Sequence, residues 1–305
     1  MMVVLLAVMS GCSTSANKNP SQMKETNTKG TYGYDVAFFS EKKINTIELK
    51  DHDSRACILL VPAWQGRVMT STVAGNNGVS FGWINYKFKE DGKISSRFNP
   101  FGGEERLWLG PEGGPFSIFF RQEDDQVFTN WIVPKEIDTE PFEVVAQSSV
   151  KVSFRKIFSL INAAGTKMEI GIERKVKLLN SNESDSALGL PIDKSLAFVA
   201  YESENTLINK GKSDWNENAG ALSVWMLAMF NPSPSGVVFI PYKKATEAES
   251  GNIVNNDYFG KVPAERLIIK DGILFFRTDG KYRSKIGITP QRALPFCGSY
   301  DPEKK

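Results

Sequence analysis

From Tyr32 onward, short apolar or alternating runs are separated by clusters of Gly, Pro, Asn and Asp, the pattern of one β-strand after another. Ala56–Val61 (ACILLV) is an apolar run stopped by Pro62, and Gly66–Val73 (GRVMTSTV) is β-branched after a Gln-Gly turn. Phe116–Phe120 is another run built for burial, and Phe142–Val145, Val150–Ile157 and Met168–Val176 alternate in part. Leu196–Tyr201 follows Pro191, and Val237–Ile240 lies between Gly236 and Pro241. Leu267–Ile269 and Ile273–Phe276 flank Lys270-Asp271-Gly272, a hairpin signal. Ile286–Ile288 and Leu294–Phe296 close the series. Ala219–Phe230 is long enough for a buried helix but reads as a central strand, and Tyr34–Phe39 reads as a short helix. Closely spaced runs of period two predict an all-β sandwich or barrel. No repeat or linker interrupts them after Gly30, so residues 30–305 are taken as one domain.

The two ends differ from this pattern. Met1–Gly11 is apolar and uncharged, and Cys12 follows directly. The run is too short for a bilayer-spanning helix of about 20 residues and fits the apolar part of a secretory signal. Ser10 and Gly11 before Cys12 resemble a bacterial lipobox, in which the cysteine is lipidated and becomes the new N-terminus. No Lys or Arg precedes the run, which departs from the signal pattern. Ser13–Lys29 has almost no apolar residues and reads as a solvated tether. The expectation is a signal peptide over 1–11, a tether over 12–29, and a lipid-anchored protein of the bacterial cell envelope, periplasmic or surface-exposed. At the other end, Cys297–Lys305 reads as a strand end entering a turn. Either the last strands of the domain are missing, which would leave an unpaired edge, or the end is a frayed natural terminus. Cys57 and Cys297 both lie in apolar runs, which fits a disulfide in an exported protein and two buried thiols equally.

Charge excludes one large class of partner. With 37 Lys and Arg against 35 Asp and Glu, the net charge is +2, no electrostatic footprint for nucleic acid. There is no Gly-rich phosphate loop and no Cys/His zinc spacing. The single histidine, His52, lies in a polar turn, which argues against a Ser-His-Asp triad. No metal or other cofactor is expected, since Asp51/Asp53 and Asp124/Asp125 are the nearest approach to a calcium-type ligand run.

The densest chemistry lies in Phe101–Phe120 (FGGEERLWLGPEGGPFSIFF), where Glu104, Glu105, Glu112, Arg106 and Trp108 sit among residues built for burial. Buried charges are costly unless paired or used. Glu112, set between Pro111 and Gly113-Gly114, reads as an acid/base group or as the cap of a bulged turn. Strand alternation puts Glu105 opposite to Glu104 and Arg106, so Arg106 with Glu104 beside it is the expected site face. The alternative is an Arg106–carboxylate pair that only holds strands together. Two of Glu104, Glu105 and Glu112 at a set separation would suit glycosidase chemistry. Trp108 and Trp131 are the best candidate platforms for a sugar ring, against core packing as the alternative. Arg67 and Arg121 are further polar candidates.

Three blocks, VPAWQGRVMTST (Val61–Thr72), FGWINY (Phe81–Tyr86) and GGEERLWLGPEGGPFSIFF (Gly102–Phe120), resemble an uncharacterised family of bacterial lipoproteins. That family is similar in turn to the galactose-mutarotase-like proteins. The resemblance implies a two-layer antiparallel β-supersandwich with a concave carbohydrate-binding face, and sometimes a bound calcium ion. The histidine acids of the mutarotases have no counterpart here, and the region of their glutamate base near the C-terminal end lies where this chain stops. The expected function is a membrane-anchored carbohydrate-processing protein, with Glu112, Glu104 and Glu105 as acid/base candidates and Arg106, Trp108, Trp131, Arg67 and Arg121 binding substrate. The alternative is a noncatalytic glycan-binding envelope lipoprotein. Its partners are carbohydrate and, through Cys12, a membrane.

Overall fold

The computed structural model describes residues 2–9, 28–87 and 94–301. They are mostly β, in four sheets. Cys12, the expected lipidation site, lies outside the described residues. The chain divides into two compact units, one of Met1–Ala7 with Thr14–Asn231 and one of Val8–Ser13 with Pro232–Lys305. The dividing point is an Asn-Pro dipeptide, a turn signal that the strand pattern did not single out.

Met2–Met9, the apolar run read as part of a signal peptide, is strand β1. Helix α1 (Tyr32–Glu41) starts at Thr31, whose hydroxyl accepts from the Tyr34 N–H at 3.4 Å. Strands β2 (Ile47–Lys50), β3 (Cys57–Val61) and β4 (Arg67–Thr72) form an antiparallel three-stranded sheet in that order. α1 packs Phe38 and Phe39 with Cys57, Leu59, Met69, Trp64 and Phe101 in one of the two cores of this unit. The other core joins strand β5 (Arg106–Gly110) to the large sheet.

That sheet contains β6 (Glu143–Gln147), β7 (Lys151–Ile161), β8 (Lys167–Leu178) and β9 (Leu196–Asn209), in the order β1-β9-β8-β7-β6. β7 and β8 pair antiparallel from Lys151↔Lys177 to Ile161↔Lys167. Asn162 closes their turn by accepting from the Thr166 N–H at 2.9 Å, and Gly165 takes the left-handed conformation at φ +85° that the turn needs. Met168, Ile170, Ile172, Val176 and Leu178 alternate into the core, so β8 buries one face along its length. β5 pairs with β10 (Ser223–Leu227), Trp108 opposite Trp225.

The second unit is a sheet of β11 (Val237–Pro241), β12 (Leu267–Lys270), β13 (Ile273–Arg277) and β14 (Gly298–Tyr300), in the order β12-β13-β11-β14. Asp271-Gly272 forms the expected hairpin turn, both residues at positive φ.

Four local expectations change. Residues 116–120 are not a strand, although 117–120 are buried: Ser117 Oγ donates to Glu112 O at 3.0 Å and accepts from Phe119 N–H at 3.1 Å, bonds a neighbouring strand would otherwise make. Of residues 219–230 only Ser223–Leu227 is a strand, half exposed and not central. Residues 286–288 and 294–296 form no strand, and β14 follows them. Helix α2 (Ser181–Leu188) was not expected, although Asn180 and Glu183 make a reciprocal capping box and Gly189 ends it in the left-handed conformation.

Candidate functional site

The three consecutive charges of the Gly-rich segment fold inward and separate. Glu105 bridges to β4, its backbone exchanging bonds with Val68, and its carboxylate faces β8 and β9. There it accepts from both Nη atoms of Arg174 and from Ser203 Oγ at 3.1 Å. Arg174 also donates from Nε to Gly66 O at 3.2 Å and from Nη1 to Asn205 Oδ1 at 2.8 Å. Both partners of this pair are fully buried.

Arg106, next in sequence, pairs instead with Asp138 at 3.2 Å and donates to Ile137 O at 3.2 Å. Asn99 Nδ2 donates to the same carboxylate at 2.6 Å. Burial pushes the Arg106 guanidinium down to about 10 against the pull of Asp138, and burial raises Asp138 above the usual carboxylate range. Arg106 is therefore in an ion pair with a carboxylate, and the pair ties β5 to the residue after a short 3₁₀ turn rather than to another strand.

Glu104 faces Ser71, whose hydroxyl lies 2.8 Å from both carboxylate oxygens, and lies beside Tyr201. Desolvation drives its carboxyl up to about 7, Glu105 adds to the rise, and the bonds from Ser71 oppose it. Arg67 is buried on β4, donating to Gly102 O at 2.8 Å and Gln65 Oε1 at 2.9 Å, with its guanidinium 5.5 Å from the Phe101 ring. Burial and the neighbouring Arg106 push it well below the ordinary arginine range. Glu104 has a pKa suited to proton exchange near neutral pH, yet it, Glu105, Arg106 and Arg67 are all closed off from solvent.

A second arrangement starts in the core and reaches the surface. The Trp108 ring lies under the Arg106 guanidinium at 4.1 Å and stacks on Phe119 at 5.4 Å. Phe119 stacks on Trp131 at 5.6 Å with 4° between planes, and Trp131 stacks on Phe128 at 6.1 Å with 16°. Trp108 is buried, Trp131 is half-buried, and Phe128 is 78% exposed. Trp108 Nε1 donates to the exposed Glu112 at 2.8 Å. Gln126 clips the two loops together, accepting from Gly114 N–H and donating to Gly114 O, both at 2.7 Å. Arg97 lies 5.2 Å from the Phe128 ring and donates from Nε to Trp131 O at 3.3 Å.

The structure thus brings Arg106, Trp108, Trp131 and Glu112 into one continuous cluster. It sends Glu104 and Glu105 into the buried network and leaves Arg121 exposed on a turn. No two of Glu104, Glu105 and Glu112 meet at a common open surface. His52 is exposed and bonds only its neighbour Asp53, at 3.0 Å, among the described residues. Cys57 and Cys297 are both free thiols. Among the described residues, no group of three or more His, Cys, Asp and Glu could hold a metal ion, and no helix is long and apolar enough to cross a membrane.

Sequence reasoning missed Arg174, Ser203, Asp138 and Phe128. The first two carry a signal: Arg174 falls in phase with Met168, Ile170, Ile172 and Val176, and Ser203 with Val199 and Tyr201. Asp138 lies just after a short 3₁₀ turn and Phe128 in an irregular loop, where no periodicity marks the inward face. No curated protein and no solved structure matches the chain. Residues 30–305 do match a family, described as a family of unknown function (DUF6786), and the chain belongs to it.

Proposed function

We propose that the protein is a glycan-binding lipoprotein of the bacterial envelope, using the Phe128–Trp131 end of the aromatic stack as its sugar platform. The observation that carries this reading is the exposure of Phe128 at the end of a stack rooted in the core. A core-packing role explains Trp108 and Phe119 but not a phenyl ring left 78% in solvent. A sugar packs its C–H face on such a ring and turns its hydroxyls to polar groups beside it, where Arg97 lies 5.2 Å from the Phe128 ring. The clip between Gln126 and Gly114 holds the loops before any ligand arrives, limiting the ordering cost of binding.

The noncatalytic form of the reading is favoured because Glu104 and Glu105 are buried and engaged, while Glu112 alone faces solvent. The mutarotase-like supersandwich, with a concave carbohydrate face, belongs to the same proposal, as does anchoring through lipidated Cys12.

Phe128→Ala tests the platform. Its ring is mostly in solvent and loses the packing on Trp131 and Arg97, so the unfolding midpoint should fall by no more than a few degrees, while affinity for a bound oligosaccharide falls about tenfold, the worth of one good stacking contact. Unchanged affinity, or no binding to any member of a broad glycan array, sinks the reading. Sugar turnover abolished by Glu112→Gln would restore the catalytic alternative. Anchoring is read separately: Cys12→Ser should move the protein from the membrane to the soluble fraction, and no such movement removes the lipoprotein part.

A further inference from the structure

Two loops of the second unit form a patch that the glycan reading leaves unused. Residues 255–261 (NNDYFGK) and 281–287 (KYRSKIG) lie side by side. Asn255 and Gly287 hold them, each N–H donating to the other's carbonyl at 2.8 Å, as in an antiparallel pair. The pairing brings Tyr258 and Phe259 against Lys285 and Arg283. Lys285 Nζ lies 4.1 Å from the centre of the Tyr258 ring, and the Arg283 guanidinium lies 4.3 Å from that of Phe259. The two rings meet edge to face at 4.8 Å. Both stay open to solvent, Tyr258 64% and Phe259 46% exposed.

The charge of this patch is one-sided. The two loops carry Lys261, Lys281, Arg283 and Lys285 against one carboxylate, Asp257, and all five side chains are exposed. That is a net +3 in a chain whose total is +2. The ion pairs of this unit, Arg266 and Arg277 with Asp279, involve none of the five. An aromatic face holds an exposed cation in place but does not neutralise it. Arg283 and Lys285 are therefore positioned, yet keep their charge for an anion outside the protein. Exposed rings beside such cations suit the headgroup level of a bilayer, where the rings take the apolar side and the cations take phosphates.

We propose that this patch docks on an anionic phospholipid membrane, its cations on the phosphates and Tyr258 and Phe259 among the headgroups. The choice of a membrane over another polyanion rests on the lipoprotein reading, in which a basic patch supplies the second signal that stable anchoring takes. Co-sedimentation of full-chain Cys12→Ser protein, free of any acyl chain, tests the patch by itself. The vesicles are equimolar phosphatidylglycerol and phosphatidylcholine, compared with pure phosphatidylcholine. The mixed vesicles should bind more tightly, and salt should erase the difference. Arg283→Gln with Lys285→Gln should weaken binding to them about thirtyfold, the worth of two cations at an anionic surface. Lys281→Gln, which leaves both ring pairs in place, should cost about fivefold. Lys194→Gln with Lys212→Gln removes the same charge from exposed positions of the first unit and should leave binding unchanged. Phe128→Ala should bind as the parent does, which separates the patch from the glycan platform. Because no acyl chain is present, failure here is distinct from failure of lipid anchoring, which fractionation reads. No preference for the anionic vesicles, a preference kept in both patch variants, an equal loss in the first-unit control, or polygalacturonate displacing the protein from the vesicles overturns the proposal.

Discussion

Glu104→Gln gives a measurable separation of two pH profiles. Glu104 is fully buried, and desolvation lifts its carboxyl from an ordinary 4.5 to about 7. A carboxyl whose folded pKa is raised holds its proton more tightly in the folded state. Its stabilisation is complete below the unfolded pKa and is lost as pH rises through the folded one. A rise from 4.5 to about 7, at about 1.4 kcal/mol for each pH unit, is worth about 3 kcal/mol. Glutamine mimics the protonated carboxyl, keeps an acceptor for Ser71, and does not ionise. The two proteins should therefore match near pH 4.5, and the variant should be more stable by about 3 kcal/mol at pH 8, all of the divergence falling between roughly pH 4.5 and 7. Urea unfolding of both proteins across that range isolates the effect, because other titrating groups cancel in the difference. Parallel profiles, or a variant that gains relative stability as pH falls, would refute the reasoning.

Two further outcomes follow from burial. Arg174→Met leaves the Glu105 carboxylate buried without its cation, and should cost about 3–5 kcal/mol in urea unfolding; a loss under about 1 kcal/mol would mean that the pair contributes nothing. In native Cys12→Ser protein one thiol should react with a disulfide reagent: Cys297 is exposed, while Cys57 is buried and pushed up to about 11, so it should react only on unfolding, and a count of two or none contradicts this.

Strands were legible where a clear turn bounded them. ACILLV and GRVMTSTV, stopped by Pro62 and opened by Gln65-Gly66, correspond to β3 and β4 within a residue or two. β7, β8 and β9 run longer than their apolar cores suggested, because exposed Lys and Glu on the outward face, such as Lys151 and Glu204, look like loop residues in one dimension. The run at 116–120 misled for the converse reason: burial alone does not specify a ladder when a serine side chain takes the backbone bonds. At the site, the residue types were visible and their partners were not. Glu104, Glu105 and Arg106 are adjacent in the chain, yet each points to a different partner: Ser71, Arg174 and Asp138. Only Arg174 betrays its inward direction by phase, and an inward arginine is informative because it demands a counter-charge.

The Arg174–Glu105 pair spans 69 residues, and the bond from Arg174 to Gly66 spans 108. A shift of β8 by one residue would swing Arg174 to the solvent side and bring Glu173 or Lys175 inward in its place. Glu173 there would face another carboxylate, and Lys175 would offer one point charge where a fork of N–H groups is needed. Apolar strands penalise misalignment only by lost burial, which neighbouring side chains partly recover. Here a misaligned strand also strands a naked charge in the core, so the pair acts as a checksum that passes one alignment of β8 and rejects its nearest competitors.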